Sequence, residues 1–136
     1  MIMRRVFAMM MVLAMLVCLC ACGADDAAGK QYPDVAGLED GVMTVGMECA
    51  YAPYNWTQAT DANGAVAIIN NPGMYANGYD VMIAKKIAEA YDVKLEIMAL
   101  EWGGLCPALG NTIDVVIAGQ SMTEDRLQEV DMAGPY

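Results

Sequence analysis

Three short apolar runs, Val42–Met47, residues 93–97 and residues 113–118, are separated by stretches with helical rather than strand periodicity. That alternation limits the fold more than any other feature of the chain. The first run lies between Gly41 and a Pro-containing turn, as a buried strand does. The second alternates with period two, with Lys94 and Glu96 on its polar side, which fits a half-buried strand. The third is rich in β-branched side chains and reads as a central parallel strand. Between the first two, Asp80 supplies an N-cap and Met82, Ile83, Ile87, Ala90 and Tyr91 recur at helical spacing, with Lys85, Lys86 and Glu89 on the polar face. Residues 102–109 read as a short helix despite Gly103, Gly104 and Pro107. Ser121-Met122-Thr123-Glu124 is a capping-box pattern opening a helix through Val130. Residues 55–78 are the least regular, with Asn63-Gly64 as a hairpin signal around residues 65–69 and a second turn at Asn71-Pro72-Gly73. The alternation predicts right-handed βαβ units and an α/β fold, a parallel sheet with helices on both faces in a three-layer sandwich. Ligands of such sheets sit beyond the carboxyl ends of the strands. Here those ends are residues 48–56, the loop entering Trp102, and residues 119–123.

None of this pattern involves the first 22 residues, which hold 20 apolar side chains and two arginines. Arg4 and Arg5 precede an apolar run of about 16 residues, short for a bilayer span of roughly 20, that stops at Gly23-Ala24-Asp25-Asp26. This is the layout of a secretory signal peptide. Its end, Leu19-Cys20-Ala21-Cys22, resembles a bacterial lipobox, in which the final cysteine, Cys22, is lipidated and becomes the new N-terminus. The alternative is an uncleaved anchor helix; both place the body outside the cytoplasm and tethered to a membrane. Residues 23–37, rich in Ala, Asp and Gly, read as a flexible tether, leaving residues 38–136 as the folded unit.

Past the leader, five basic residues face 17 acidic ones, a net charge of −12. Such a body lacks the clustered Lys and Arg that neutralise phosphates, so nucleic acid is excluded as a partner. The chain has no histidine, which removes Ser-His and Cys-His nucleophiles and His-ligated zinc; no metal or cofactor is expected. Cys49 and Cys106 could pair in an oxidising compartment, but without a disulfide framework they read as small apolar residues.

The three strand ends gather Glu48, Tyr51, Tyr54 and Trp56, then Trp102, then Ser121, Thr123 and Arg126. A helix N-terminus with a guanidinium complements a carboxylate, and a separate carboxylate suits an ammonium or amide; together they describe a receptor for a small zwitterion. Each residue also has a plainer reading: aromatic packing, capping, or, for Arg126, a surface ion pair with Glu124, Asp125, Glu129 or Asp131.

Four blocks resemble, in order, the bacterial extracellular solute-binding proteins for polar amino acids. They are Val45-Gly46-Met47-Glu48-Cys49-Ala50-Tyr51-Ala52-Pro53-Tyr54, Gly78-Tyr79-Asp80-Val81 with Ala84-Lys85-Lys86-Ile87-Ala88, Trp102-Gly103-Gly104-Leu105-Cys106-Pro107-Ala108-Leu109, and Ile113-Asp114-Val115-Val116-Ile117-Ala118-Gly119-Gln120-Ser121-Met122-Thr123-Glu124-Asp125-Arg126. The resemblance implies one lobe of a type II periplasmic-binding-protein fold serving an amino-acid ABC importer, with a free amino acid, the membrane permease and the lipid-anchored membrane surface as partners. It implies that Arg126, with Ser121 and nearby backbone N–H groups, meets the α-carboxylate, and that the Gly119 carbonyl meets the α-ammonium. Tyr51 and Trp102 would lie against the ligand, and Glu48 would meet a side-chain nitrogen, which tilts the ligand towards a cationic or amide amino acid.

The turn Gly110-Asn111-Thr112 is one residue shorter than the family's, and Met132-Ala133-Gly134 replaces the family's Phe-Ser-Asp before Pro135-Tyr136. Family members continue through a hinge into a second lobe, so the sequence is expected to supply the first lobe only and to bind weakly or not at all alone. A strand returning from the second lobe would be missing, leaving an open sheet edge. The other readings are a non-functional truncated gene product, a dehydratase-like enzyme and a sensor lobe on the same scaffold.

Overall fold

The computed structural model describes residues 34–136; the leader, the lipidation residue Cys22 and the tether up to residue 33 lie outside the described residues. Strands β1 (Val42–Met47), β6 (Lys94–Ala99) and β7 (Val115–Val116) form a parallel sheet in the order β6-β1-β7. β1 is central because its residues can be buried on both sides: Met43, Val45 and Met47 are 0–2% exposed. Gly46, on the opposite pleat, leaves room for Ile113 and Leu105 to close over it.

A second, antiparallel sheet fills the irregular stretch, with β2 (Ala50–Tyr51), β3 (Asn55–Gln58), β4 (Val66–Ala67) and β5 (Tyr75–Asn77) in the order β2-β3-β5-β4. The hairpin assignment shifts here. Asn63 and Gly64 do have positive φ (58° and 75°), but they sit in a 3-10 turn, Ala62–Gly64, that leads from β3 to β4. Those two strands flank β5 rather than pairing with each other. The hairpin turn is Asn71-Pro72-Gly73, closed by the Ile68 amide on the Met74 carbonyl at 3.0 Å. The sheets join along the outer edge of β6, where Ile68 bridges Ile97 and the Asn70 side chain exchanges two hydrogen bonds with the Ala99 backbone. Asn70 thereby blunts that edge. Among the described residues β7 has no strand on its outer side.

Helix α1 (Tyr79–Tyr91) buries Val81, Ala84 and Ala88. Its N-cap is Gly78 and not Asp80, whose carboxylate is fully buried instead of capping. Among the described residues the two other α-helices are each one turn long, α2 (Leu105–Ala108) and α3 (Glu124–Leu127). The segment expected as a helix over residues 102–109 is a 3-10 turn at Trp102–Gly104 followed by α2. Gly103-Gly104 and Pro107 cut it short, since glycine adds backbone entropy and proline removes a donor. α3 is capped by Thr123, whose Oγ1 accepts the Arg126 amide at 3.3 Å, so the N-cap sits two residues later than the Ser121 pattern suggests, and with Arg126 at the third position there is no capping box. Among the described residues no helix is long and apolar enough to cross a membrane.

Cys49 and Cys106 are both free thiols. Cys49 is 4% exposed, and burial pushes its thiol up to about 11, whereas Cys106 is half-buried with Sγ 3.5 Å from Gln120 Oε1. A thiol held protonated is a poor nucleophile. Iodoacetamide at pH 8 is therefore expected to alkylate Cys106 and spare Cys49 until the chain unfolds; peptide mass mapping showing equal labelling of both would contradict this.

Candidate functional site

A cavity of about 750 Å³ runs along β7 and α1, lined there by Val115, Val116, Ile83 and Ile87, and past the end of β7 by Tyr51, Tyr54, Gly119, Ser121 and Tyr136. Tyr51 and Tyr54 stack with ring centroids 5.1 Å apart and both rings are half exposed, so they present aromatic surface rather than core packing. Gly119 follows β7 in the left-handed region (φ 64°). A Cβ placed on it would lie 3.7 Å from the Tyr51 ring, so these two predicted residues are neighbours.

Arg126 projects from α3 back over the loop. Its Nη1 donates to the Ser121 carbonyl at 2.6 Å, and its guanidinium carbon sits 5.3 Å above the Trp102 ring centroid. Among the described residues Arg126 makes no ion pair; the salt bridge there is Lys94–Glu96, elsewhere on the surface. The surface ion-pair reading of Arg126 thus finds no partner, and the guanidinium stands on an indole at a strand end, where a cation–π contact fixes its plane. A guanidinium so held keeps further N–H donors for an anion in a fork matched to a carboxylate.

Glu48 lies apart from this group. It is half-buried after β1 and lines a smaller pocket of about 360 Å³ with Ala50, Ala99, Leu100 and Glu101. The structure therefore brings Tyr51, Gly119 and Ser121 to one cavity, and brings Trp102 to Arg126, which reaches the Ser121 carbonyl, while Glu48 shares its own pocket with a second carboxylate. Glu101 went unnoticed in the sequence, although its place directly before Trp102 was a signal. Nor did the sequence show that Asn55, Asp80 and Tyr136 are linked behind the loop. Asp80 accepts from Asn55 Nδ2 at 2.6 Å and from the Tyr136 hydroxyl at 3.0 Å, and that hydroxyl accepts the Gly119 amide at 3.2 Å. Among the described residues no group of three Cys, Asp or Glu side chains could hold a metal ion.

Residues 43–136 match the family model for bacterial extracellular solute-binding proteins, family 3. A probable histidine-binding protein of Neisseria gonorrhoeae is 31% identical over 119 residues, 87% of this chain and 38% of that protein. The octopine-binding periplasmic protein of Rhizobium meliloti is 28% identical over 102 residues, 74% of this chain and 30% of that protein. Among solved structures, the arginine-bound form of domain 1 from TmArgBP superposes with a TM-score of 0.59 at 32% identity, covering 75% of this chain and 72% of that domain. The chain thus spans about a third of the length of these curated relatives but most of a single relative domain. With the parallel sheet, the aromatic wall and the arginine all at the strand ends, this chain belongs to the bacterial extracellular solute-binding proteins, family 3, and its described residues form part of a type II periplasmic-binding-protein lobe.

Proposed function

We propose that this lobe recognises a free amino acid with a cationic side chain, as the substrate-binding part of an amino-acid ABC importer. The observation that carries the reading is the guanidinium of Arg126 standing on Trp102 and tied to the carbonyl of Ser121, a residue of the loop in which the Gly119 turn lies beside the Tyr51 ring. In this reading Arg126 and the Ser121 hydroxyl take the α-carboxylate, the Gly119 carbonyl takes the α-ammonium, and Tyr51 and Trp102 flank the aliphatic part of the ligand. Glu48 and Glu101, sharing one pocket, attract the side-chain cation. The relatives lean towards that class without being confined to it: one is named for histidine, one for octopine, one for cystine, and one was crystallised with arginine. The leader at residues 1–22 would direct export, and Cys22 would hold the body at the membrane beside its permease.

That arginine-bound structure is of a single domain, which supports ligand capture by one lobe. One face of the ligand stays in water, which weakens its charged contacts, so a dissociation constant of about micromolar or weaker is expected. Calorimetric titration of the chain with the twenty amino acids tests the reading. Arginine, lysine or histidine should bind in preference to neutral ones; a preference for aspartate or glutamate, or binding of none, overturns it. Glu48→Gln and Glu101→Gln should each reduce the preference for arginine over uncharged citrulline by about three- to tenfold, the range of a single partly exposed charge contact. Unchanged selectivity in both would remove these carboxylates from the site.

A further inference from the structure

The Gly119 turn is held from behind by a chain of side chains that ligand recognition does not itself use. Asp80 and Asn55 are both 0% exposed. One Asp80 oxygen accepts from Asn55 Nδ2 and the other from the Tyr136 hydroxyl. Asn55 Oδ1 in turn accepts the Cys49 amide at 2.8 Å, and the Tyr136 oxygen accepts the Gly119 amide. A carboxylate is buried only at a cost of several kcal/mol unless its oxygens are satisfied, so Asp80 depends on both partners. The two ends of the relay are the positive-φ residues Cys49 (φ 56°) and Gly119 (φ 64°), which turn the chain away from the carboxyl ends of β1 and β7. The relay therefore ties together the two loops that carry Tyr51 and Ser121.

We propose that Tyr136 is a positioning residue for ligand recognition: its hydroxyl, anchored on Asp80, takes the Gly119 amide and fixes the Ala118–Gly119 peptide, and with it the point from which the Gly119 carbonyl, in the next peptide, is offered to the ligand's ammonium. This rests on the reading of Gly119 as a ligand contact. Glycine has no side chain to restrict its own rotation, so the turn needs an outside tie, and among the described residues the Tyr136 hydroxyl is the partner of its amide. The carbonyl accepts no hydrogen bond among the described residues and is left for a ligand. The Tyr136 ring is itself aligned by stacking on Tyr79, with centroids 5.9 Å apart and planes 25° apart. Burial of the phenol and the nearby Asp80 carboxylate outweigh the Gly119 amide and raise it to about 12, so the hydroxyl keeps its proton for Asp80 at physiological pH.

Tyr136→Phe removes the hydroxyl and keeps the stacked ring. Amide hydrogen exchange of the full chain, read by nuclear magnetic resonance, and titration with arginine should be followed together. Gly119 exchange should quicken about tenfold or more while Val45 in β1 keeps its protection, and arginine affinity should fall about tenfold, the effect of one hydrogen bond. A purely structural role would loosen Val45 along with Gly119. Gly119 released with affinity unchanged overturns the positioning role, as does Gly119 exchange that does not respond. In the unsubstituted chain, Gly119 exchanging as fast as Gln120 and Ser121 overturns it without any variant. A response of Gly119 in a chain that binds no arginine supports the tie and sinks the recognition reading instead.

Discussion

Gly78→Ala is expected to destabilise the domain by about 3 kcal/mol or more, the sum of a strained backbone and an overpacked contact. Gly78 caps α1 with φ 129° and ψ −178°, a region that side chains rarely adopt. A Cβ there would fall onto the Tyr54 carbonyl oxygen, well inside van der Waals contact, and come within 3.0 Å of the Asn55 nitrogen. The neighbours cannot yield, because the carbonyls of Pro53 and Tyr54 are occupied by the amides of Tyr79 and Asp80 at 3.1 and 2.9 Å. Those bonds satisfy the first amides of α1 in place of a capping side chain. Gly46→Ala is the informative comparison, since its Cβ would meet the end of the Ile113 side chain, which can rotate away. The alanine at position 46 should cost about 1–3 kcal/mol, less than at position 78. Urea denaturation of both variants checks this; a loss below about 1 kcal/mol at position 78 would show that the close approach of α1 to the 53–54 turn is not rigid.

Arg126→Ala is expected to weaken amino-acid binding about a hundredfold, because a hydrogen-bonded charge contact contributes about 1.5–3 kcal/mol and tenfold in affinity is 1.4 kcal/mol. The fold should hardly notice. Arg126 lies on a single exposed helical turn, and its contact with Trp102 is worth about 0.5–1 kcal/mol, so the unfolding free energy should shift by less than about 1 kcal/mol. Arg126→Lys keeps the charge but loses the planar fork and the stacking on the indole, so it should recover only part of the affinity. Calorimetry with arginine on the three proteins separates these outcomes. Binding by Arg126→Ala at full strength would remove the carboxylate contact from the proposed site, whatever the ligand.

The parts of the fold that were legible in the sequence are those whose signal is local. β1 and β6 announce themselves through apolar runs and period-two alternation, and α1 through helical spacing, although the face buried is that of Val81, Ala84 and Ala88 and not the expected one, of which Met82, Ala90 and Tyr91 are exposed. The loops facing the cavity were legible because they follow from strand order in a parallel sheet. Local rules misread several places, among them these. Asp80 has a capping residue's chemistry but is buried, because Asn55 and Tyr136 satisfy it more completely than a helix amide would. Ser121 matches the capping pattern, yet its carbonyl takes the Arg126 guanidinium and the cap passes to Thr123. Asn63-Gly64 has the backbone of a hairpin turn, but β5 separates the strands it might have joined.

By itself the sequence determined the α/β alternation, the acidic body, the absence of imidazole chemistry and which residue types crowd the strand ends. Each depends on composition or on a period of two to four residues. Tertiary structure decided which of those residues meet. Asn55 reaches Asp80 across 25 positions and Tyr136 reaches it across 56, and Arg126 settles on Trp102 rather than on an acidic neighbour. Such contacts have no local pattern, because they are selected by burial and by the need to satisfy a buried carboxylate, and those conditions exist only once the sheet has brought the loops together.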